Sequence, residues 1–182
     1  EATEMMIAAA RQVENSGADF VIICTNTMHK MADEMQAAMG IPLLHIADAA
    51  AEAVKARGLS KVGLLGTRFT MEEDFYRGRL TEKHGLEVLI PTEEEREIIH
   101  RVIFDELCRG EIKPSSQEQY VTIMDHLVRR GAEGIILGCT EISLLVGDGD
   151  CQFPLFDTTR IHAQAAVEYA LEERERVQQA LV

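Results

Sequence analysis

Two cysteines stand in matching surroundings. Gly17-Ala18-Asp19-Phe20-Val21-Ile22-Ile23-Cys24-Thr25 and Gly131-Ala132-Glu133-Gly134-Ile135-Ile136-Leu137-Gly138-Cys139-Thr140 repeat one pattern with one gap. Each copy follows a helical stretch, and a Pro-Leu strand (Pro42-Leu43, Pro154-Leu155) and another helix follow each cysteine. A buried cysteine at a strand end is more often a small core hydrophobe than a catalyst. The joint repeat argues for function in this pair. Behind each sulfur lies a hydroxyl-bearing turn, Thr25-Asn26-Thr27 and Thr140-Glu141, that leads into a helix start. Free N–H groups at helix starts favour anions and thiolates. Two thiols facing each other across a cleft suit one reaction type. One thiolate removes a proton from carbon, the opposite thiol returns a proton to the other face, and the configuration inverts. Cys108 and Cys151 have no matched partner and no hydroxyl-rich turn, so they read as structural or incidental.

The elements that must position this pair follow from hydrophobic spacing. Met6, Ala9, Ala10 and Val13 form a helical stripe over 3–16, closed by Gly17. The apolar run 18–24 has no polar alternation and reads as a strand buried on both faces. Further strands are expected at 41–46, 61–66, 86–90, 134–138 and 153–156. Helices are expected at 28–39, 49–57 (with Asp48 as its cap), 71–84, 94–109, 117–130 and 160–180, with a short helix after Cys139. The cluster Glu93-Glu94-Glu95 suits the positive end of a helix. Strands alternating with helices predict an α/β fold with parallel sheets covered on both faces. The strands are few for two complete sheets. The internal echo divides the chain into two pseudo-symmetric lobes, and ligands of such sheets bind at the carboxyl ends of the strands, where Cys24 and Cys139 lie.

Composition excludes several classes. Eighteen Lys and Arg against 31 Asp and Glu give a net charge of −13 over 182 residues. That field repels nucleic acid and anionic membrane surfaces. No apolar run approaches the roughly 18 residues of a membrane span. The opening EATEMMIAAARQ is acidic where a signal peptide is basic. Four cysteines without C-x-x-C spacing point to a reducing cytosol. The histidines His29, His45, His84, His100, His126 and His162 lack metal-ligand spacing, so no metal is expected. Leu64-Leu65-Gly66-Thr67 is too poor in glycine for a dinucleotide or phosphate loop. The run Glu172-Glu173-Arg174-Glu175-Arg176 reads as a solvated helix face.

Cys24-Thr25-Asn26-Thr27-Met28-His29 and Gly138-Cys139-Thr140-Glu141-Ile142 resemble the two signature motifs of the aspartate/glutamate racemase family, which works without pyridoxal phosphate. Leu65-Gly66-Thr67-Arg68-Phe69-Thr70-Met71 and the Phe156–Ala163 segment also resemble that family, and the similarity runs from near residue 1 to about residue 172. The resemblance implies two Rossmann-like lobes with a substrate cleft between them. The first lobe would take 1–48 plus 157–182 and the second 49–156. It implies Cys24 and Cys139 as the catalytic acid/bases, with no cofactor, and a homodimer. Thr25, Asn26, Thr27 and Thr140 would hold the α-carboxylate and amino group of a small amino-acid substrate. Lys113 would meet a side-chain carboxylate, and Thr67 and Thr70 are further substrate-binding candidates. Family members usually begin with a strand and a glycine-rich loop that have no match here. The chain is therefore expected to start inside the helix before the Cys24 strand, with roughly a third of the first lobe absent.

Other residues have two readings. His29 either polarises Cys24 or bonds backbone. Glu141 orients Cys139 or the substrate amine, or answers a helix dipole. Asp157 and His162 read as cap and packing. Rival functions are a non-catalytic amino-acid-binding module, or another two-cysteine enzyme such as a maleate isomerase, a hydantoin racemase or arylmalonate decarboxylase.

Overall fold

The computed structural model describes the backbone of residues 1–180 and the side chains of 1–172. The side chains of the 172–176 run beyond Glu172 therefore lie outside the described residues. Helix α1 (Ala2–Asn15) packs Met6, Ile7 and Ala10 toward Ile23 and Met35. Strand β1 (Val21–Ile22) leads through a 3-10 turn (Thr27–Met31) into α2 (Ala32–Ala37) and β2 (Leu43–Leu44), which pairs with β1 in parallel. The strands expected at 18–24 and 41–46 thus shrink to two residues each. Each has one hydrogen-bonding neighbour among the described residues, so little ladder holds their ends extended.

Helix α3 (Ile46–Ala56) buries Ile46, Ala47, Ala50, Ala51 and Val54 along one stripe. Its cap is His45, whose side chain accepts from the Ala47 N–H, and not Asp48 as the sequence suggested. Asp48 instead takes Arg79, Lys83 and His84 at 2.7 Å each. Strand β3 (Lys61–Gly66) follows, then α4 (Arg68–Glu72), α5 (Asp74–Gly78) and a π turn (Arg79–Lys83). The single helix expected at 71–84 is therefore broken. Glu73 is extended (φ −87°, ψ 153°). The wider π spacing brings Arg79 and His84, five apart, round to the same carboxylate.

Strand β4 (Glu87–Leu89) precedes α6 (Glu93–Asp105), which opens on a Thr92/Glu95 capping box. A 3-10 turn (Leu107–Arg109) leads to α7 (Pro114–Arg129), started three residues earlier than expected by a proline in its first turn. Strand β5 (Gly134–Gly138), a 3-10 turn (Ile142–Leu144), β6 (Leu155–Asp157) and α8 (Thr158–Ala180) complete the chain. The second sheet has the order β4-β3-β5-β6, all parallel, and forms the α/β fold that alternation predicted. Its central strands β3 and β5 are buried almost end to end, which is why they lack polar alternation. The main core surrounds this sheet, whereas the β1–β2 sheet rests on a small cluster of Ala10, Ile23 and Met35. No described helix is long and apolar enough to cross a membrane.

Candidate active site

Four strand ends converge. The registers Gly66↔Gly138 and Leu137↔Asp157 set the carboxyl ends of β3, β5 and β6 side by side. A Cβ on Gly66 would meet the Gly138 carbonyl at 2.8 Å, and one on Gly138 would meet the Leu65 carbonyl at 2.8 Å. The two glycines therefore let β3 and β5 close up where Thr67 and Cys139 leave the sheet. The Cys24 turn is tied to this end by side chains. Thr27 Oγ1 lies 3.1 Å from Thr67 Oγ1, which lies 3.2 Å from Thr70 Oγ1. Asn26 Nδ2 donates to Thr158 Oγ1 (3.0 Å), which donates to the Leu137 carbonyl (2.8 Å), two residues before Cys139. Hydrogen bonds thus tie the Cys24 turn to the end of β3 and, through Thr158, to the strand that leads into Cys139.

The two sulfurs differ in setting. Cys24 is exposed and Cys139 is buried. Cys139 Sγ donates to Glu141 Oε2 at 2.9 Å, and the same oxygen accepts from Thr140 Oγ1 at 2.8 Å. Burial, and then the Glu141 carboxylate, push the Cys139 thiol far above its ordinary range. Partial burial works to raise Glu141, but the Cys139 and Thr140 donors outweigh it and hold the carboxyl below its usual value.

Under the Cys24 turn sits a group of buried rings. His29 Nδ1 contacts the Thr25 carbonyl at 2.7 Å, and Nε2 accepts from the Ile46 N–H at 3.2 Å. The Nε2 acceptor fixes the neutral tautomer with the proton on Nδ1. Burial lowers the His29 pKa to about 4. The His45 ring stands 4.4 Å away and the His162 ring 5.8 Å away, and His162 Nε2 reaches the Leu44 carbonyl at 2.8 Å. Burial lowers both of these histidines as well. The backbone-bonded reading of His29 and the packing reading of His162 hold. Asp157 caps α8 through the Thr159 and Arg160 N–H groups.

Several candidates are brought together: Cys24, Thr25, Asn26 and Thr27 in one turn, Thr67 and Thr70 against it, and Cys139, Thr140 and Glu141 at the β5 end. Lys113 stands at the start of α7, with its ammonium 2.9 Å from Glu111 and 3.6 Å from Glu106. Sequence reasoning set Cys108 aside, yet its thiol feels the Glu141 charge and is raised, chiefly by burial. It gave Thr158 no role and overlooked Tyr120. Tyr120 is buried, donates to the Ile99 carbonyl at 2.9 Å, and feels both Cys139 and Glu106. Thr158 lies in the 156–163 segment already singled out by resemblance, and its hydroxyl at the β6 end echoes Thr25 and Thr140. A cavity of about 360 Å³ lined by Leu137, Phe156, Asp157 and Arg160 holds neither Cys24 nor Cys139, so we place the candidate site by the hydrogen-bonded strand ends.

Comparison with known proteins identifies the family and the fold. The family model for Asp/Glu/hydantoin racemase matches residues 1–166. A solved Yersinia pestis structure, provisionally assigned as an Asp/Glu racemase, is 53% identical with a TM-score of 0.89, over 93% of this chain and 74% of that one. An aspartate racemase homologue from Pyrococcus horikoshii is 40% identical with a TM-score of 0.83, over 92% and 74%. The broad-specificity amino-acid racemase RacX of Bacillus subtilis is 23% identical over 167 residues, 92% of this chain and 71% of that protein.

Proposed function

Since the chain belongs to the Asp/Glu/hydantoin racemase family and is an isomerase, we propose that it interconverts the L and D forms of aspartate, glutamate or a related small amino acid. In this reading Cys24 and Cys139 carry the two protons. The observation that supports it most is the set of bonds tying the Cys24 turn to the carboxyl end of β3 and to β5, the strand that ends at Cys139. One thiolate takes the α-proton, the C–H electron pair stays on carbon, and the opposite thiol delivers its proton to the other face. The thiol pair needs no cofactor for these transfers. Hydroxyl and N–H donors of Thr25, Thr27 and Thr140 stabilise the charge that develops toward the α-carboxylate. Among the described residues the buried Asn26 Oδ1 has no hydrogen-bond partner, so it is open to a substrate donor. Thr67 and Thr70 are buried and act by holding Thr27. Lys113 must leave Glu111 to meet a side-chain carboxylate. A homodimer in a reducing cytosol belongs to the same reading. The first rests on the family resemblance and the second on four free thiols.

The test is incubation with L-aspartate or L-glutamate in D₂O, followed by chiral chromatography and mass spectrometry. The expected product is the D form carrying α-deuterium. Cys24→Ser and Cys139→Ser should each abolish interconversion while allowing exchange into one enantiomer. Full racemisation by either variant overturns the two-thiol reading. Ligand-induced thermal stabilisation with no deuterium uptake marks a binding module instead.

A further inference from the structure

We propose that Glu141 holds Cys139 as the protonated thiol in the resting enzyme, so that Cys139 enters the cycle as proton donor and Cys24 as proton acceptor. This rests on the two-cysteine reading above and adds an order to it. The geometry carries the inference. A thiol at Cys139 gains a 2.9 Å hydrogen bond to Glu141 Oε2, whereas a thiolate there would set two anions at that distance. The groups facing the sulfur from other elements do not relieve this. Tyr120 on α7 is neutral and spends its proton on Ile99, and Cys108 on the 107–109 turn adds no positive charge. Glu106 is a further anion near Tyr120, and its own ion-pair partner, Lys113, is shared with Glu111. Burial of Cys139 acts in the same direction. Cys24 is exposed to solvent.

A defined proton count follows. The resting form turns over the enantiomer whose α-hydrogen faces Cys24. The Cys24 thiolate takes that proton, the electron pair stays on carbon, and the Cys139 S–H gives its proton to the opposite face. The enzyme is left with a Cys24 thiol and a Cys139 thiolate. One proton must then pass from Cys24 to Cys139 through solvent, and the Glu141 charge drives that return. The other enantiomer needs the reverse form, which Glu141 disfavours. The equilibrium constant between enantiomers is one, so kcat/KM is equal in both directions whatever Glu141 does. Its effect appears in KM and kcat taken separately, and in the reactivity of each thiol.

The experiment is the pH dependence of iodoacetamide alkylation at Cys139 and at Cys24, resolved by peptide mass spectrometry, in the wild-type chain and in Glu141→Gln. The amide keeps an acceptor for the S–H and removes the charge. The Cys139 midpoint is expected to fall by about one pH unit or more, with the Cys24 profile unmoved. The KM values for the two enantiomers should also draw closer together. Glu141→Asp, which keeps a charge, should retain more of the high Cys139 midpoint than Glu141→Gln does. An unmoved Cys139 profile, or equal shifts at both cysteines as general loosening would give, overturns the inference. Racemisation by Cys139→Ser separates the two failures. A racemising serine variant defeats the two-thiol reading itself, whereas an inactive one with an unmoved alkylation profile defeats only the role of Glu141.

Discussion

His29 shows what one side chain contributes to the Cys24 turn. Its ring spans two backbone groups from different elements, the Thr25 carbonyl and the Ile46 N–H. The sequence places His29 beside the motif but says nothing of Ile46, which lies beyond β2, so reading it left two roles open. The bridge requires a neutral ring, because Nε2 must accept. Burial lowers the pKa from 6.5 to about 4. Between those values the unfolded chain binds a proton that the folded chain refuses. Stability from this residue is therefore fully present above pH 6.5 and declines as pH falls toward 4. The full contribution is on the order of 3 kcal/mol. Urea denaturation of wild type should lose stability from pH 7 to pH 5. His29→Gln reaches only one of the two backbone groups, so it should cost about 1–3 kcal/mol at pH 7 and make that pH slope shallower, with buried His45 and His162 carrying the remainder. A variant with the wild-type slope would show that His29 does not contribute to it.

Elements differed in how well the chain announced them. Strands 61–66 and 134–138 are sandwiched between neighbours on both sides, so continuous apolar runs mark their ends. The π turn at 79–83 was hidden, because the Asp48 carboxylate that gathers Arg79, Lys83 and His84 lies thirty and more residues away. The close approach of β3 and β5 was hidden too. Glycines at 66 and 138 look like ordinary strand punctuation until the register pairs them. They have ordinary backbone angles and are needed for space, since an added Cβ would strike a carbonyl at 2.8 Å in either case. Gly138→Ala should therefore cost roughly 1–3 kcal/mol and shift Cys139, lowering activity more than Gly147→Ala. A Cβ at Gly147 meets nothing within 4 Å. Paired urea titrations and rate measurements check this. Equal stability of the two variants would mean that the strands part without cost.

At the scale of the whole molecule, the echoed motifs revealed two parallel sheets and their shared carboxyl ends, because repeated local pattern survives in sequence. The contacts that unite those ends, Thr27 with Thr67 and Asn26 with Thr158, span 40 and 132 residues and leave no local trace. Net charge is the one global property that reads directly from composition. At −13, the protein's field opposes approach of a dicarboxylic amino acid, which carries net charge −1, and hardly affects a zwitterion of zero net charge. Salt shortens the reach of that field to about 10 Å at 0.1 M. If aspartate or glutamate is the substrate, raising ionic strength from about 0.01 to about 0.15 M should lower its KM by roughly two- to fivefold. The KM of a neutral amino acid turned over by the same site should stay nearly constant. A rise in KM for the dicarboxylate would place a local cation, with Lys113 the first candidate, in control of its capture over the field of the whole chain.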